Sequence, residues 1–558
     1  MILPTEGLLM PNEVTATPLE CLYKWETTTP DSRCFVQPVN GEYQEYDWKM
    51  VANTVRRIAY RLEAMQLEKG SRIAILAKNC AEWIMTDLAI MMTGHISVPI
   101  FATAGTETIQ YVLNHADVKV VFIGKLDDAD NQIAAIPEEI KTVAFPYPGI
   151  KADEYWAEFL DCPAMTDSPV PNATDLMTII YTSGSTGHPK GVMHTFDSMS
   201  WAGTVGRGDL SLSQQDRLLS YLPLAHITER VLVEMAALHA GMQLFFVESL
   251  DTFQRDVQHC KPTLFVSVPR LWTKFQLGIL HKLPQKKLDM LLRIPIVSSL
   301  IKRKIKAGLG LSEVKICASG SAPIPPSVIT WFARLGVEIC EGWGMTENAA
   351  LGTASLPFRH DKIGCIGHPW SGVDIKLSEE GELLVKSRAN MLGYYLDEEK
   401  TKEAFTEDGY LRTGDKATVD ADNYYKITGR IKDIFKTAKG KYVTPAPIEA
   451  KLMENVLIEQ VCVTGASLAQ PIALLVLSEE GQELPDHQVT ASLNETLAHV
   501  NAKLESHQRL DRLIVMMEAW TIENGLLTPT LKVKRHVLEE RFPDVINQGY
   551  DDKIVWEN

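Results

Sequence analysis

The stretch Tyr181-Thr-Ser-Gly-Ser-Thr-Gly-His-Pro-Lys-Gly-Val192 decides how the rest of this sequence is interpreted. It follows the apolar run 177–180, so it is predicted to be a loop that leaves a buried strand. Small residues let backbone N–H groups and hydroxyls close around an anion, and a lysine adds positive charge. The stretch is therefore predicted to cradle phosphate. It is not a Walker A loop, because Pro189 precedes Lys190 and Gly191 follows it.

Helix and strand patterns alternate on both sides of this loop. Residues 46–67 carry apolar side chains at helical spacing, and short apolar runs such as 72–77 and 118–123 predict buried strands. The alternation recurs between residues 227 and 340 and is typical of an open, largely parallel α/β sheet. From about Ile375, short strands with Gly and Asp turns predict a small β-barrel.

The predicted fold class is α/β, with a large N-terminal body and a small mobile C-terminal domain. The body, residues 1–429, is expected to contain several subdomains of mostly parallel sheets packed with helices, plus the small β-barrel. The pattern shifts after Gly429, and residues 430–558 carry their own strands and helices. This α+β segment of about 130 residues is long enough for an independent domain.

Composition narrows the class of protein. The chain has 558 residues, of which 45% are hydrophobic and 23% charged, as in ordinary globular proteins. The 55 Lys and Arg are outnumbered by 71 Asp and Glu, and the resulting net charge of −16 argues against general nucleic-acid binding. The nine cysteines are odd in number, scattered and never in a C-x-x-C pair, which indicates a reducing compartment and no disulfide framework.

No targeting or spanning segment is predicted. The first seventeen residues contain no Lys or Arg, whereas a secretory signal begins with a basic region. The most apolar stretch, 83–104, contains Asp87, His95 and Pro99, which a bilayer span would not readily tolerate together. A cytoplasmic location is therefore expected.

Residues 282–306, called here the basic segment, stand out in this acidic chain. They hold eight basic residues and one acid, Asp289, interleaved with Leu and Ile. One interpretation is a solvated, partly amphipathic helix pair. The other is a peripheral contact with an anionic membrane, since a Lys or Arg near such a surface contributes about 1 kcal/mol and neighbouring apolar side chains enter the interface.

Five further motifs follow the loop in order. They are Gly320-Ser-Ala-Pro323, Gly342-Trp-Gly-Met-Thr-Glu347, Tyr410-Leu-Arg-Thr-Gly-Asp415, Gly429-Arg-Ile-Lys-Asp433 and Leu527-Thr-Pro-Thr-Leu-Lys-Val-Lys-Arg535. Together they resemble the signature motifs of the adenylate-forming, or AMP-binding, superfamily, which includes acyl-CoA synthetases, luciferase-like enzymes and peptide-synthetase adenylation domains. The resemblance covers nearly the whole chain. The segment Leu222-Pro-Leu-Ala-His-Ile-Thr-Glu-Arg230 is most similar to long-chain fatty acyl-CoA synthetases.

The resemblance implies ATP, Mg²⁺ and coenzyme A as cofactors. It places catalytic roles on Lys532, Thr186, Glu347 and His226, and metal ligation on Thr186 and Glu347. The residues that it implies for nucleotide or CoA binding are Thr182, Ser183, Gly184, Ser185, Thr186, Gly187, Lys190, Gly320, Ser321, Ala322, Gly342, Trp343, Gly344, Thr346, Asp415, Arg430, Lys439 and Gly440.

Physical chemistry supports several of these roles. A Glu347 carboxylate beside a phosphate loop would be repelled unless a divalent cation lay between them, which favours Mg²⁺ coordination. Asp415 can accept two hydrogen bonds from a ribose diol, and Arg430 would reach the same sugar or the α-phosphate. Lys532 is preferred to Lys534 as the catalytic lysine, because the resembling motif places an arginine three residues after it.

Three positions allow more than one interpretation. His226 is interpreted either as a packed or capping residue or as the residue beside the acyl carbonyl. Ala438 and Lys439 stand where acyl-CoA synthetases often carry Ser-Gly, so Lys439 either obstructs the path of the pantetheine arm or points outward toward the CoA phosphates. Trp343 stands where tyrosine is usual, which leaves the shape of the acyl or adenine wall open.

The predicted function is ATP-dependent ligation of a medium- or long-chain fatty acid to coenzyme A through acyl-AMP, with release of pyrophosphate and AMP. The first step requires no general base, because a carboxylic acid with a pKa of about 4–5 is already ionised at neutral pH. The alternatives are a ligase that hands the acyl group to a carrier protein or other acceptor, and a catalytically silent nucleotide-binding regulator. Oligomeric state is not predicted.

Overall fold

The structure is a computed structural model that describes residues 15–182, 189–466, 468–528, 531–550 and 552–557. Within them, the central element is an eight-stranded sheet. In sheet order, its strands are Gly393–Tyr394, Lys190–Thr195, Leu176–Thr182, Ile96–Ile100, Arg72–Ala77, Val118–Gly124, Lys141–Ala144 and Glu154–Tyr155.

The two strands that flank the predicted phosphate loop form a hairpin in this sheet. Strands Leu176–Thr182 and Lys190–Thr195 are antiparallel, with Thr182 opposite Lys190, whereas the strands on the Ile96–Ile100 side are all paired in parallel. Lys190 therefore begins the return strand of a hairpin rather than lying within the loop. Ser183, Gly184, Ser185, Thr186 and Gly187 lie outside the described residues.

Two smaller sheets complete the α/β part of the body. One has the order Arg217–Ser220, Gln243–Phe246, Arg33–Val39, Glu42–Asp47, and the other has the order Leu264–Ser267, Ile316–Ser319, Ile339–Trp343, Thr353–Ala354, His368–Pro369. Helix Ala81–Met92 is buried at every position, because sheets and helices cover it on all sides. Its apolar sequence thus reflects burial in protein. Among the described residues, no helix combines the length and the apolar character needed to cross a membrane.

The region predicted to be a small β-barrel contains a four-stranded antiparallel sheet. Its order is Asp374–Leu377, Glu382–Lys386, Leu411–Val419, Tyr425–Arg430. The register of its last two strands places Asp415 directly opposite Arg430. This pairing brings two sequence motifs into contact.

The C-terminal part has its own four-stranded sheet and its own apolar clusters. The strands are Ile458–Thr464, Ile472–Leu477, Leu513–Val515 and Ile554–Trp556, preceded by the hairpin Phe435–Lys436 with Tyr442–Val443. A self-contained core of this kind is what an α+β unit requires. The predicted fold class, α/β with a large N-terminal body and a smaller C-terminal part, is confirmed.

The helices surround these sheets. Those of the body are Pro18–Thr28, Trp48–Ala64, Ala81–Met92, Thr106–His115, Ala129–Ala134, Trp156–Phe159, Phe196–Asp209, Ile227–Glu229, Ala236–Ala240, Phe253–Cys260, Pro269–Lys282, Gln285–Leu292, Pro295–Gly308, Pro326–Arg334 and Glu398–Glu403, with a π-helical turn at Arg230–Met235 and 3₁₀ turns at Thr346–Asn348 and His360–Lys362. Those of the C-terminal part are the 3₁₀ turn Ile431–Asp433 and the helices Pro445–Leu452, Glu479–Glu483, Asp486–Ala502, Arg535–Arg541 and Pro543–Asn547.

Candidate active site

Asp415 is the centre of a hydrogen-bonded group built from three motifs. Arg430 Nε donates to Asp415 Oδ1 over 2.9 Å, and the indole Nε1–H of Trp343 donates to Asp415 Oδ2 over 2.9 Å. Arg430 reaches it from the neighbouring strand, and Trp343 from the end of strand Ile339–Trp343. Asp415 itself is buried, so the two donors offset the cost of removing a carboxylate from water.

Glu347 lies in the short 3₁₀ turn that follows Trp343. The Tyr394 hydroxyl donates to Glu347 Oε1 over 2.9 Å, and the ammonium of Lys190 lies 4.7 Å from the centre of the Tyr394 ring. Tyr394 therefore connects the hairpin that bears the phosphate loop to the Glu347 turn. Desolvation lowers the pKa of Lys190, and the nearby Lys432 and Lys400 ammonium groups act in the same direction.

Thr346 is held by a buried histidine. His194 Nε2 contacts the Thr346 carbonyl oxygen at 2.7 Å, and because a carbonyl only accepts, this nitrogen carries the proton. Burial lowers the pKa of His194 to about 4, so the ring is neutral near neutral pH. A lone His in a strand carries no sequence signal for this role, and neither does Tyr394. Both were missed for that reason.

The predicted residues of the two glycine-containing motifs, at 320–322 and 342–344, follow or end neighbouring strands. Gly320 follows strand Ile316–Ser319, and a β-carbon on it would lie 3.3 Å from the Gly342 carbonyl oxygen, so the two motif loops are in close contact. Ser321 next to it has a positive φ of 65°, and Ala322 is exposed. Gly344 lies so close to the Ala350 backbone that a side chain there would overlap it.

Lys532 comes to this site from the C-terminal part. The residue keeps accessible surface, but desolvation lowers the pKa of its ammonium to about 8; Arg430 acts in the same direction, while Asp415 and Glu347 oppose it. Lys532 is thus within electrostatic reach of three predicted site residues. Lys534 is not among the charges that shift the pKa of Arg430 or of His226.

The loop that bears Lys532 is fixed to its own domain. Lys532 N donates to Thr528 Oγ1 over 3.0 Å, and Thr528 N donates to the Lys532 carbonyl over 2.8 Å. Three residues further on, Arg535 forms an ion pair with Glu449 at 2.7 Å and donates to the Val463 carbonyl. The arginine that identified the motif therefore anchors the lysine loop.

His226 also faces the site. Its Nδ1 accepts from Thr228 N over 3.3 Å and so caps the short helix Ile227–Glu229. Burial lowers the pKa of His226 to about 4, with Lys532 as a further cause, so the imidazole is neutral. The structure thus gives His226 the capping contact of one interpretation and the proximity to Lys532 that the other requires.

A buried polar network supports the His226 loop. Asn79 Oδ1 accepts from Leu224 N over 3.0 Å, and Asn79 Nδ2 donates to the Leu222 carbonyl over 2.6 Å. Glu229 Oε1 accepts from Tyr221 N over 3.0 Å, and burial raises the pKa of Glu229 to about 8. Asn79 lies about 150 residues from this loop in sequence, so spacing gave no sign of it.

Lys439 and Gly440 occupy a different environment. They lie in the turn between strands Phe435–Lys436 and Tyr442–Val443, where Lys439 is exposed and its Nζ lies 3.5 Å from Gln470 Oε1. In this arrangement, the described contacts of Lys439 are within the C-terminal part. The side chain is exposed, and its contact with the CoA phosphates stays a prediction.

The site residues fit a magnesium–nucleotide ligand. Mg²⁺ is commonly held by one or two carboxylates together with substrate phosphates, and the Oε2 atom of Glu347 is not used in the Tyr394 contact. In the described part of the chain, no group of three or more His, Cys, Asp or Glu forms a self-sufficient metal cluster. A Mg²⁺ ion held here through a carboxylate would take its other ligands from substrate phosphates and water.

Comparison with known proteins agrees with this geometry. Residues 22–395 match the family described as AMP-binding enzyme. The chain belongs to the AMP-binding enzyme family. Residues 432–554 match the AMP-binding enzyme C-terminal domain.

Curated relatives resemble the chain over most of its length. It is 29% identical to the long-chain-fatty-acid–CoA ligase FadD15 of Mycobacterium bovis, covering 95% of this chain and 96% of that one. It is 31% identical to the long-chain-fatty-acid–CoA ligase 5 of Rattus norvegicus, covering 91% and 85%.

Solved AMP-binding structures share the fold. The adenylation domain of a carboxylate reductase from Mycobacterium chelonae superposes with a TM-score of 0.80 at 22% identity, covering 96% of this chain and 91% of that one. The anthranilate CoA ligase AuaEII, solved with anthranoyl-AMP, gives 0.76 at 20% identity, covering 95% and 98%.

The perturbed lysine can be tested directly. After reductive ¹³C-methylation, we expect one lysine resonance to titrate near pH 8 and to vanish in Lys532→Arg. Lys190→Arg and Lys125→Arg identify the resonances of the two other lysines whose pKa is lowered. Arg430→Gln should move the Lys532 titration upward, because a positive neighbour is lost, and Glu347→Gln should move it downward, because a negative neighbour is lost. The Lys532 side chain is positively charged below this pH and becomes neutral above it. A Lys532 resonance that titrates at the ordinary value near 10.4 would contradict the described placement.

Proposed function

We propose that this protein ligates long-chain fatty acids to coenzyme A in an ATP-dependent reaction through an acyl-AMP intermediate. The observation that carries the proposal is the convergence of Lys532, Arg430, Asp415 and Glu347 in one site. Relatives that match nearly the full chain are named long-chain fatty acid–CoA ligases, which supports the substrate class.

In the first half-reaction, a fatty-acid carboxylate oxygen attacks the α-phosphorus of ATP, the bond to the β,γ-pyrophosphate breaks, and acyl-AMP forms. Lys532 and Lys190 supply positive charge near the phosphates, and Asp415 accepts the ribose hydroxyls. Mg²⁺, held through Glu347 and Thr186, would neutralise charge on the phosphates; Thr186 lies outside the described residues. Positioning and charge stabilisation then account for catalysis, without a general base.

In the second half-reaction, the thiolate sulfur of coenzyme A attacks the acyl carbon, and the bond to AMP breaks. We propose that residues 430–558 act as a mobile unit that presents Lys532 in the first step and the 436–441 turn, with Lys439 and Gly440, in the second. In the orientation described here, Lys532 faces the body and Arg270 pairs with Glu459 across the two parts. This orientation suits the adenylation step.

A panel of carboxylic acids tests the substrate class. With ATP, Mg²⁺ and coenzyme A, we expect acids of twelve or more carbons to yield pyrophosphate, AMP and acyl-CoA in equal amounts. Each product is scored separately by chromatography. Pyrophosphate without a CoA ester would instead support an acyl-AMP ligase with a carrier acceptor. A nucleotide that binds without any turnover would support a silent regulator.

The role of Lys532 is tested by separating the two half-reactions. Lys532→Ala should lower acyl-AMP formation by at least 100-fold, because the charge on the α-phosphate is lost, as for removal of a preorganised oxyanion donor. The same variant should convert synthetic acyl-AMP and coenzyme A to acyl-CoA at close to the wild-type rate. Lys534→Ala is the matched control and should retain both steps. Equal loss of both steps in Lys532→Ala would contradict the two-orientation scheme.

We further propose that the basic segment contacts anionic membrane. Its helices are Gln285–Leu292 and Pro295–Gly308. Ile294, between them, and Ile296 and Leu300, in the second helix, are exposed, with Ile296 77% accessible. The second helix has no buried residue. Exposed apolar side chains are unfavourable in water but enter a lipid interface readily.

The cations of this segment complement anionic headgroups. A groove between the two helices is lined by Asp289, Leu292, Arg293, Ser298, Lys302 and Arg334. Asp289 pairs with Arg334, so the remaining lining charge is positive. A fatty acid released within a membrane would then reach the enzyme without crossing water.

Vesicle co-sedimentation tests the membrane contact. Wild type should bind phosphatidylglycerol vesicles more tightly than phosphatidylcholine vesicles, and 0.5 M salt should weaken this binding. Replacing Lys302, Arg303, Lys304 and Lys306 by Glu should weaken it about 1,000-fold or more, at about 1 kcal/mol for each of the lost cations. The charge-matched control replaces Lys49, Lys69, Lys402 and Lys503 by Glu, and it should bind like wild type. Equal binding by the two quadruple variants would refute the contact.

A further inference from the structure

Trp343 hydrogen-bonds to Asp415, the carboxylate that we propose binds the ribose hydroxyls. We infer that its indole N–H is a positioning group that sets the orientation of Asp415 for a vicinal diol. The inference rests on the proposed function, because it takes Asp415 as the acceptor of the nucleotide ribose hydroxyls. The indole donates over 2.9 Å to Asp415 Oδ2, and Arg430 Nε donates over 2.9 Å to Asp415 Oδ1.

The acceptor capacity of the carboxylate supports this assignment. A carboxylate offers about four lone-pair sites, two on each oxygen. Trp343 uses one site on one oxygen, and Arg430 uses one site on the other. One acceptor site then remains on each oxygen. Two neighbouring acceptors on one rigid group match the two neighbouring hydroxyls of a ribose.

The chemistry of the indole suits this position. An indole N–H can only donate a hydrogen bond, so Trp343 cannot accept one from a ribose hydroxyl. A tyrosine hydroxyl, the usual group here in the resembling motif, both donates and accepts. Tryptophan at this position can therefore only donate to Asp415, and it does not compete with Asp415 as an acceptor for the ribose hydroxyls.

The indole itself is held in place. Trp343 ends strand Ile339–Trp343, where it pairs with Thr353. The ring packs over Gly352 so closely that a β-carbon at that position would overlap it. Trp343 is half-buried and packs against the main apolar core of the body. A ring fixed on one side can aim its N–H at a defined point.

Nucleotide binding tests the inference without turnover. Calorimetric titration of AMP and of 2′,3′-dideoxy-AMP is carried out on wild type and Trp343→Phe, which keeps an aromatic ring and removes the N–H. We expect the substitution to weaken AMP binding about 5- to 20-fold and dideoxy-AMP binding less than 2-fold. Equal weakening of both ligands would overturn the inference, because it would show that only the ring matters.

The experiment also separates this inference from the proposed role of Asp415. Wild type that does not discriminate between AMP and dideoxy-AMP would overturn the ribose role, and the inference with it. Discrimination in wild type that persists unchanged in Trp343→Phe would overturn the inference alone. In an Asp415→Asn background, Trp343→Phe should weaken AMP binding by no further factor, because the carboxylate that it orients is gone.

A measurement that needs no Trp343 substitution guards against misfolding of the variant. In ¹⁵N-tryptophan-labelled protein, the Trp343 indole N–H resonance should shift upfield in Asp415→Asn, because a neutral amide is a weaker acceptor than a carboxylate. The other indole resonances serve as the internal control. An unchanged Trp343 resonance would overturn the inference.

Discussion

The cross-strand contact between Asp415 and Arg430 is the interaction on which the site depends. It fixes a buried carboxylate at one place in the body and joins it to the strand that leads into the C-terminal part. A buried charge is tolerated only where it is paired or hydrogen-bonded, so the position of each partner is constrained by the other. Trp343 and Lys532 are then arranged around a charge whose place is already determined.

Burial also shapes the support beneath the site. Arg230 is fully buried, with two nitrogens on Asp87 and its Nε 3.0 Å from Glu234, while its guanidinium lies over the Trp83 ring at 5.0 Å. Burial raises the pKa of Glu234 well above its usual range. The helical turn that begins next to Glu229 is thus tied to helix Ala81–Met92. Asn79, just before this helix, hydrogen-bonds to Glu229 and to Leu224 N. The His226 loop is therefore held by buried contacts with the helix Ala81–Met92 region.

Much of this site was accessible from the sequence because its residues lie in contiguous motifs. Glu347, Asp415 and Arg430 each directly follow a glycine or a threonine, and Lys532 is recognised by the arginine three residues after it. The structure brings these four residues together. Their proposed roles are still open to experiment. The order of the motifs and the α/β alternation also sufficed for the fold class.

The supporting residues were not accessible, for a physical reason. Tyr394, His194 and Asn79 act through contacts with distant parts of the chain, and nothing in their immediate sequence reflects those contacts. The hairpin geometry of Lys190 was missed as well, because periodicity does not show whether the next strand returns beside the first. Long-range pairing is the information that a single sequence lacks.

The anchoring of the Lys532 loop bears on what limits the rate of the reaction cycle. Arg535 binds that loop to Glu449 and Val463, so the backbone that carries Lys532 is held within the C-terminal part. Its distance from Asp415 is set by the docking of the entire C-terminal unit, which leaves few intermediate positions. If residues 430–558 move as we propose, Lys532 is either close to the phosphates or withdrawn from them, and the rate of the cycle depends on how often this unit changes its orientation.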